Sequence, residues 1–184
     1  MSLDRTDVMR GLTDLATRLN DAGIEVVIHL VGGAAIMLTV RPDRQSTVDV
    51  DSWINTHGDQ ALHAQVLEAA EAVARANPGF ADDWLNDNAQ LFIPESVSGA
   101  LDEWLPLISL GTVTIVNARP DVLLAMKLRA GRGRRDLPDL PALILACGLT
   151  TVAEVEAVFE RLFPYEEIRA SAQAWIEAHA PFGP

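Results

Sequence analysis

The chain reads as an α/β protein: a mixed sheet with flanking helices, followed by a helical C-terminal region. Three observations carry that reading. Residues 24–31, Ile-Glu-Val-Val-Ile-His-Leu-Val, form a β-prone run that stops at Gly32-Gly33 and passes into the apolar helical stretch Ala34–Leu38. Thr47-Val48-Asp49-Val50-Asp51 alternates polar and apolar, which is the period of a strand. From Pro120 onward, apolar residues recur mostly at helical spacing.

In chain order, Leu3, Val8, Leu12, Leu15 and Leu19 space a first helix over 3–22, ending near Gly23. The 24–31 strand, a helix over 33–39 and a strand over 47–54 follow, with Pro42-Asp43-Arg44 marking the loop between the last two. Leu62, Val66, Leu67, Ala70, Val73 and Ala74 place one apolar side on a helix over 60–76, which Asn77-Pro78-Gly79 ends. Between 80 and 111 the pattern is mixed: 82–87 reads as a turn or short helix, and 90–93 and 107–110 read as short strands. Val113–Val116 is a strand, and Pro120 suits the first turn of a helix reaching about Ala130. Helical stretches over 137–147, 152–162 and 166–179 complete the chain. Neither a repeat nor a linker stands out. The expectation is a single domain over 1–184, with an α/β core over about 24–118 and a helical region over about 120–180.

Composition narrows the classes. A chain of 184 residues is long enough for one buried core and short for two. No apolar run approaches the ~20 residues that span a bilayer, and the N-terminus lacks a signal-peptide pattern, so a cytoplasmic protein without a membrane partner is expected. The single cysteine, Cys147, has no partner for an internal disulfide and reads as a packing residue. The net charge of −12 argues against a general nucleic-acid surface. Yet Lys127, Arg129, Arg132, Arg134 and Arg135 gather five of the 14 basic residues in one short segment, and without them the rest of the chain carries −17. That is a localised anion site, able to take a polyanion over a short footprint, or else a solvated helix end.

The chemistry begins with Asp49 and Asp51. Two carboxylates on one strand face repel, and a divalent cation such as Mg²⁺ or Mn²⁺ between them relieves the repulsion while leaving positions for phosphate. The bland alternative is a solvated strand face. Gly32-Gly33 lets backbone approach an anion closely, with the following helix presenting unpaired N–H groups. Thr47 either bonds a phosphate oxygen or serves as a β-branched strand former. Lys127 lies between Met126 and Leu128, where a lysine can simply snorkel to solvent. Asp136 and Asp139, three apart, suit an N-cap and a first-turn acid. His29, His57, His63 and His179 lack metal-site spacing, and Trp53, Trp84, Trp104 and Trp175 read as core or edge aromatics.

Taken together, Val31-Gly32-Gly33-Ala34-Ala35, the stretch from Arg41 to Thr47-Val48-Asp49-Val50-Asp51, Leu124–Ala130 and Arg135-Asp136-Leu137-Pro138-Asp139-Leu140 resemble the polymerase-β-type nucleotidyltransferase superfamily. Within it, the chain looks like small bacterial proteins related to the AbiEii toxins of type IV toxin–antitoxin systems, over roughly residues 24–150. The resemblance implies a nucleotidyltransferase-like fold. It also implies Mg²⁺-dependent transfer of a nucleotide from a nucleoside triphosphate to an RNA, such as a tRNA 3′ end, or to a protein. Asp49 and Asp51 would hold the metal, and Gly32, Gly33 and Thr47 would seat phosphates. Lys127 would meet the nucleotide, Arg129 and Arg132 would grip phosphate, and one of Asp136 and Asp139, with Asp139 preferred, would complete the active site. A cognate antitoxin would be the partner. One departure is visible: the later strand expected to supply a third carboxylate, 112–116, has no acid. Either a helix aspartate stands in, or the chain is a nucleotide- or partner-binding module with reduced catalysis. A small-molecule nucleotidyltransferase of the antibiotic-modifying kind is the remaining class.

Overall fold

Strands β1 (Val26–Leu30), β2 (Val50–Asn55), β3 (Leu85–Asn86), β4 (Trp104–Leu110) and β5 (Val113–Ala118) form one sheet in the order β3-β2-β1-β5-β4. The sheet is mixed. β1 runs antiparallel to β2 and parallel to β5, β3 is parallel to β2, and β4 returns antiparallel on β5. The computed structural model describes residues 2–98 and 103–182. These residues divide into two compact units: Met1–Leu91 with Trp104–Ala118, and Phe92–Glu103 with Arg119–Pro184. Among the described residues no helix is long and apolar enough to cross a membrane.

The first unit is the sheet with helices α1 (Arg5–Asp21), α2 (Gly32–Thr39) and α3 (Gln60–Ala76). Ile28 pairs with Ile54 on one side and Ile115 on the other, and all three are buried, so the even face of β1 is core. α1 packs on α3 and on β4 and β5, while α2 lies against β2. Asp4 and Asp7 form a capping box that starts α1. Arg5 Nη1 then donates to the carbonyls of Met37 and Leu38 at 2.8 and 3.1 Å, satisfying the end of α2. On the other face of β1, His29 stacks on Trp53 at 4.4 Å and meets the edge of Trp104 at 4.5 Å. Burial lowers the His29 pKa to about 4 despite an opposing backbone hydrogen bond at Trp53, so the imidazole is a neutral core group at pH 7.

The second unit is helical: α4 (Pro120–Ala130), α5 (Gly133–Asp136), α6 (Leu140–Ala146), α7 (Val152–Leu162) and α8 (Ala170–His179). α4 packs against α6, α7 and α8. Gly131 ends α4 at φ +52, a conformation that disfavours any other residue, and its carbonyl accepts from Ser171 Oγ at 2.7 Å.

Several sequence expectations shift. Residues 90–93 form a 3₁₀ turn (Gln90–Phe92) instead of a strand, while Leu85–Asn86, expected in a turn or short helix, pairs with β2. The 137–147 helix breaks into a 3₁₀ turn over Leu137–Asp139 and α6, because Pro138 and Pro141 withhold helical donors. The last helix begins at Ala170 instead of Glu166, with the Arg169 N–H spent on the Leu128 carbonyl.

Candidate active site

β1 hands the chain to α2 through Gly32. The Val31 N–H donates to the Asp51 carbonyl at 3.0 Å, which ties the exit of β1 to β2. Gly32 sits at φ +69, and a Cβ there would strike the Asp51 carboxylate. No other residue type combines that dihedral with that neighbour. A Cβ on Gly33 would lie 3.0 Å from Arg44 Nη2 and 3.1 Å from Thr47 Oγ1. The two glycines therefore bring backbone against a carboxylate, a guanidinium and a hydroxyl. Val31, the N-cap of α2, is extended and gives no side-chain cap, so side-chain capping leaves the first-turn N–H groups to other partners.

The Asp-x-Asp segment differs from a plain strand. β2 starts only at Val50. Thr47 is held in an isolated antiparallel bridge with Leu3, through hydrogen bonds of 2.7 and 2.8 Å, and its hydroxyl donates to the Asp49 carbonyl at 3.0 Å. These bonds bend the backbone before β2. Val48, on the apolar side of the alternation, is 68% exposed, while Thr47, on its polar side, is buried. Asp51 keeps the outward face of β2, and Val50, Ser52 and Ile54 point into the core.

β3 supplies a contact the sequence does not announce. Asn86 is in register with Asp51, and its Nδ2 donates to Asp49 Oδ2 at 3.3 Å. In this sheet β5 is separated from β2 by β1, so the strand to inspect for a third acid is β3, and there the residue is an amide. The adjacent Asp87 is engaged elsewhere: it accepts from the Ile54 N–H at 2.8 Å and meets His63 Nε2 at 2.7 Å. Among the described residues no three His, Cys, Asp or Glu side chains gather into a metal-holding group. The donor set on the first unit is thus two half-buried carboxylates beside a glycine turn. It fits one hard divalent cation that completes its shell with water and phosphate oxygens.

In the second unit the expected residues do come together, as an ion-paired cluster. Lys127 Nζ reaches Asp136 Oδ1 at 2.8 Å and Asp139 Oδ2 at 3.2 Å. Arg132 donates to Asp136 from its backbone N–H at 2.8 Å and from Nε at 2.9 Å. Both aspartates and the lysine are buried. Burial alone would raise the Asp136 pKa, but the bonds from Arg132 and Lys127 outweigh it and hold the carboxyl below its ordinary range. Lys127 therefore does not snorkel, and Arg132 is ordered by Asp136 without a ligand. Neither aspartate caps a helix through its side chain. Arg129 donates to Glu166 at 2.6 Å and lies 4.8 Å over the Phe163 ring. Arg134 and Arg135 are exposed. Burial, with the Asp121 charge, pushes the Cys147 thiol up to about 11, so it stays an unreactive thiol.

Sequence reasoning missed Arg44, read only as part of a loop, and Asn86, which lies on a two-residue strand too short to show periodicity. A comparison with solved structures finds an antigenic nucleotidyltransferase-like protein from Paracoccidioides brasiliensis, at 16% identity and a TM-score of 0.52, covering 97% of this chain and 95% of that one. The mixed α/β architecture is thus that of a nucleotidyltransferase-like fold. No protein-family model and no curated protein matches the chain.

Proposed function

We propose that the protein is a divalent-metal-dependent nucleotidyltransferase acting from the Gly32-Gly33 turn and the Asp49–Asp51 pair. The observation that carries this reading is Gly32, whose positive φ and missing Cβ let the Asp51 carboxylate pack on the turn that opens α2. An anion-receptive helix start and a carboxylate pair then lie side by side, as a metal-bound triphosphate requires. Mg²⁺ or Mn²⁺, held by Asp49 and Asp51, would supply charge neutralisation on the triphosphate and polarise the α-phosphorus. The chain's own part is placement. The first-turn N–H groups of α2 and Arg44 bind phosphate oxygens, and the Thr47 hydroxyl, spent on the Asp49 carbonyl, holds that backbone in its bend. An acceptor hydroxyl attacks the α-phosphorus, forming one P–O bond as the bond to the β-phosphate oxygen breaks and pyrophosphate leaves.

The acceptor proposed is an RNA end, with the toxin–antitoxin role and a cognate antitoxin carried over from the sequence resemblance. The exposed Arg134 and Arg135 support a short polyanion footprint on an otherwise acidic chain. A second reading, a nucleotide-binding module with little transfer, is favoured by two observations. Asn86 replaces a third acid, and Lys127 is engaged by Asp136 and Asp139.

The test is thermal unfolding with each of the four nucleoside triphosphates, with and without Mg²⁺, followed by transfer of α-phosphate label to total RNA. A metal-dependent rise in melting temperature that disappears in Asp49→Asn is expected. A shift of the same size in the variant removes the site assignment. Label on RNA selects the transferase, and binding without label on RNA, protein or small acceptors selects the module.

A further inference from the structure

We propose that the outer surface of α6, with the C-terminal residues beside it, is where two copies of this chain pair about a two-fold axis. This stands apart from the nucleotide reading and concerns the second unit alone.

The sequence leaves this surface without charge. Residues 140–153 hold no acidic, basic or histidine side chain, in a chain of net charge −12. Helix α6 turns Leu140, Leu143 and Ile144 into the core, which leaves Pro141 exposed and Leu145, four residues on, 64% exposed. At the end of α6 the Gly148 N–H donates to the Leu145 carbonyl at 2.9 Å, and the Leu149 N–H to the Ile144 carbonyl at 3.1 Å. That pair of bonds folds Leu149 back onto the helix end. The Phe182 N–H donates to the Thr150 carbonyl at 2.9 Å, which sets Phe182 beside the same turn, and its ring stacks on Trp175 at 6.4 Å. Leu149, Phe182 and Trp175 are half-buried, so the apolar path from α6 continues to an aromatic pair. An apolar surface with aromatic anchors and no charge is the composition of the centre of a protein–protein contact.

Charge identifies the occupant. Exposed Arg134 and Arg135 precede the path, and exposed Glu154 and Glu156 follow it in the first turns of α7. A second copy related by a two-fold axis across α6 runs antiparallel to the first, so the arginines of each chain meet the glutamates of the other, twice over. A parallel arrangement would set arginine on arginine. The surface is thus its own complement. Two chains that repel through their net charge approach here along a stretch where neither carries any. Arg134 and Arg135 stand at the rim, where charges remain in water and stay open to a polyanion.

Sedimentation velocity of the intact chain over a concentration series, without nucleotide or RNA, reads the assembly state. Wild type should pass from monomer to a species of twice the chain mass as concentration rises. Leu145→Asp places a charge inside the contact on both copies and should hold the protein monomeric, with circular dichroism confirming that it is folded. Arg134→Glu with Arg135→Glu sets acid against acid and should raise the dimer dissociation constant about tenfold or more. A wild type that is monomeric at every concentration overturns the inference and leaves the surface to a different protein. A dimer that a folded Leu145→Asp leaves intact overturns it by placing the contact elsewhere. Unchanged affinity in the double arginine variant overturns the antiparallel pairing on which the choice of a second copy rests. If Leu145→Asp does not fold, the wild-type mass and the arginine variant decide. The metal-dependent nucleotide shift is a separate measurement, so either reading can fail while the other stands.

Discussion

Two groups of aspartates in this protein have opposite surroundings. Asp136 and Asp139 are buried and meet an ammonium and a guanidinium. Asp49 and Asp51 are half-buried beside a glycine turn, and Asp49 meets an amide. A buried carboxylate must be neutralised by its own chain, because desolvating a lone charge is prohibitive. A carboxylate at a partly open turn keeps part of its hydration. The aspartates enclosed by their own cations hold the helical unit together, while those at the glycine turn stay within reach of solvent.

The largest expected effect is on the buried cluster. Lys127→Met leaves Asp136 and Asp139 with less positive charge in a dry site and should cost ~3–5 kcal/mol, the scale for removing one partner of a buried pair. Chemical denaturation measures it. A loss under about 1 kcal/mol would erase the contrast between the two groups and return Lys127 to the ligand-binding role that the sequence resemblance implies.

Gly32→Ala comes next. Holding a non-glycine residue at φ +69 costs ~1–2 kcal/mol, and the new methyl must also displace the Asp51 carboxylate. Stability should fall modestly, and the metal-dependent nucleotide shift in melting temperature should vanish. A variant that retains the full shift shows that nucleotide does not bind at this turn.

Acid sharpens the comparison. The folded-state pKa of Asp136 is depressed below its ordinary value of 3.8, so its stabilising contribution is present above that value and is lost as pH falls through the folded-state pKa. Unfolding free energy measured from pH 6 down to acid should drop less steeply in Asp136→Asn than in wild type. Parallel curves would show that Asp136 titrates alike in the folded and unfolded chains. The smallest effect belongs to Arg134→Ala with Arg135→Ala. Stability should stay within about 0.5 kcal/mol at these exposed positions. RNA affinity should fall, with a flatter salt dependence, and nucleotide affinity should hold. Equal loss for both ligands would make these arginines part of the nucleotide site.

Much of the secondary structure was legible because it is local. The 60–76 helix declared itself through one apolar side, and Pro120 marked the first turn of α4. The glycine pair and the two aspartates were legible as types at a spacing. The bend at Thr47 was not, because it depends on Leu3, a residue distant in sequence. Arg44 stayed hidden because its relevance comes from the space that Gly33 leaves open.

The sequence by itself determined the alternation of strand and helix, the glycine turn, the Asp-x-Asp motif and the cationic segment. Each is written in near-neighbour periodicity or in residue type. Tertiary structure alone decided that β3 lies beside β2, so that Asn86 and not an acid faces Asp49. It also decided that Lys127, Asp136 and Asp139 form one buried cluster. Strand order and burial depend on which distant segments exclude water together, and neither charge nor periodicity along the chain encodes that pairing.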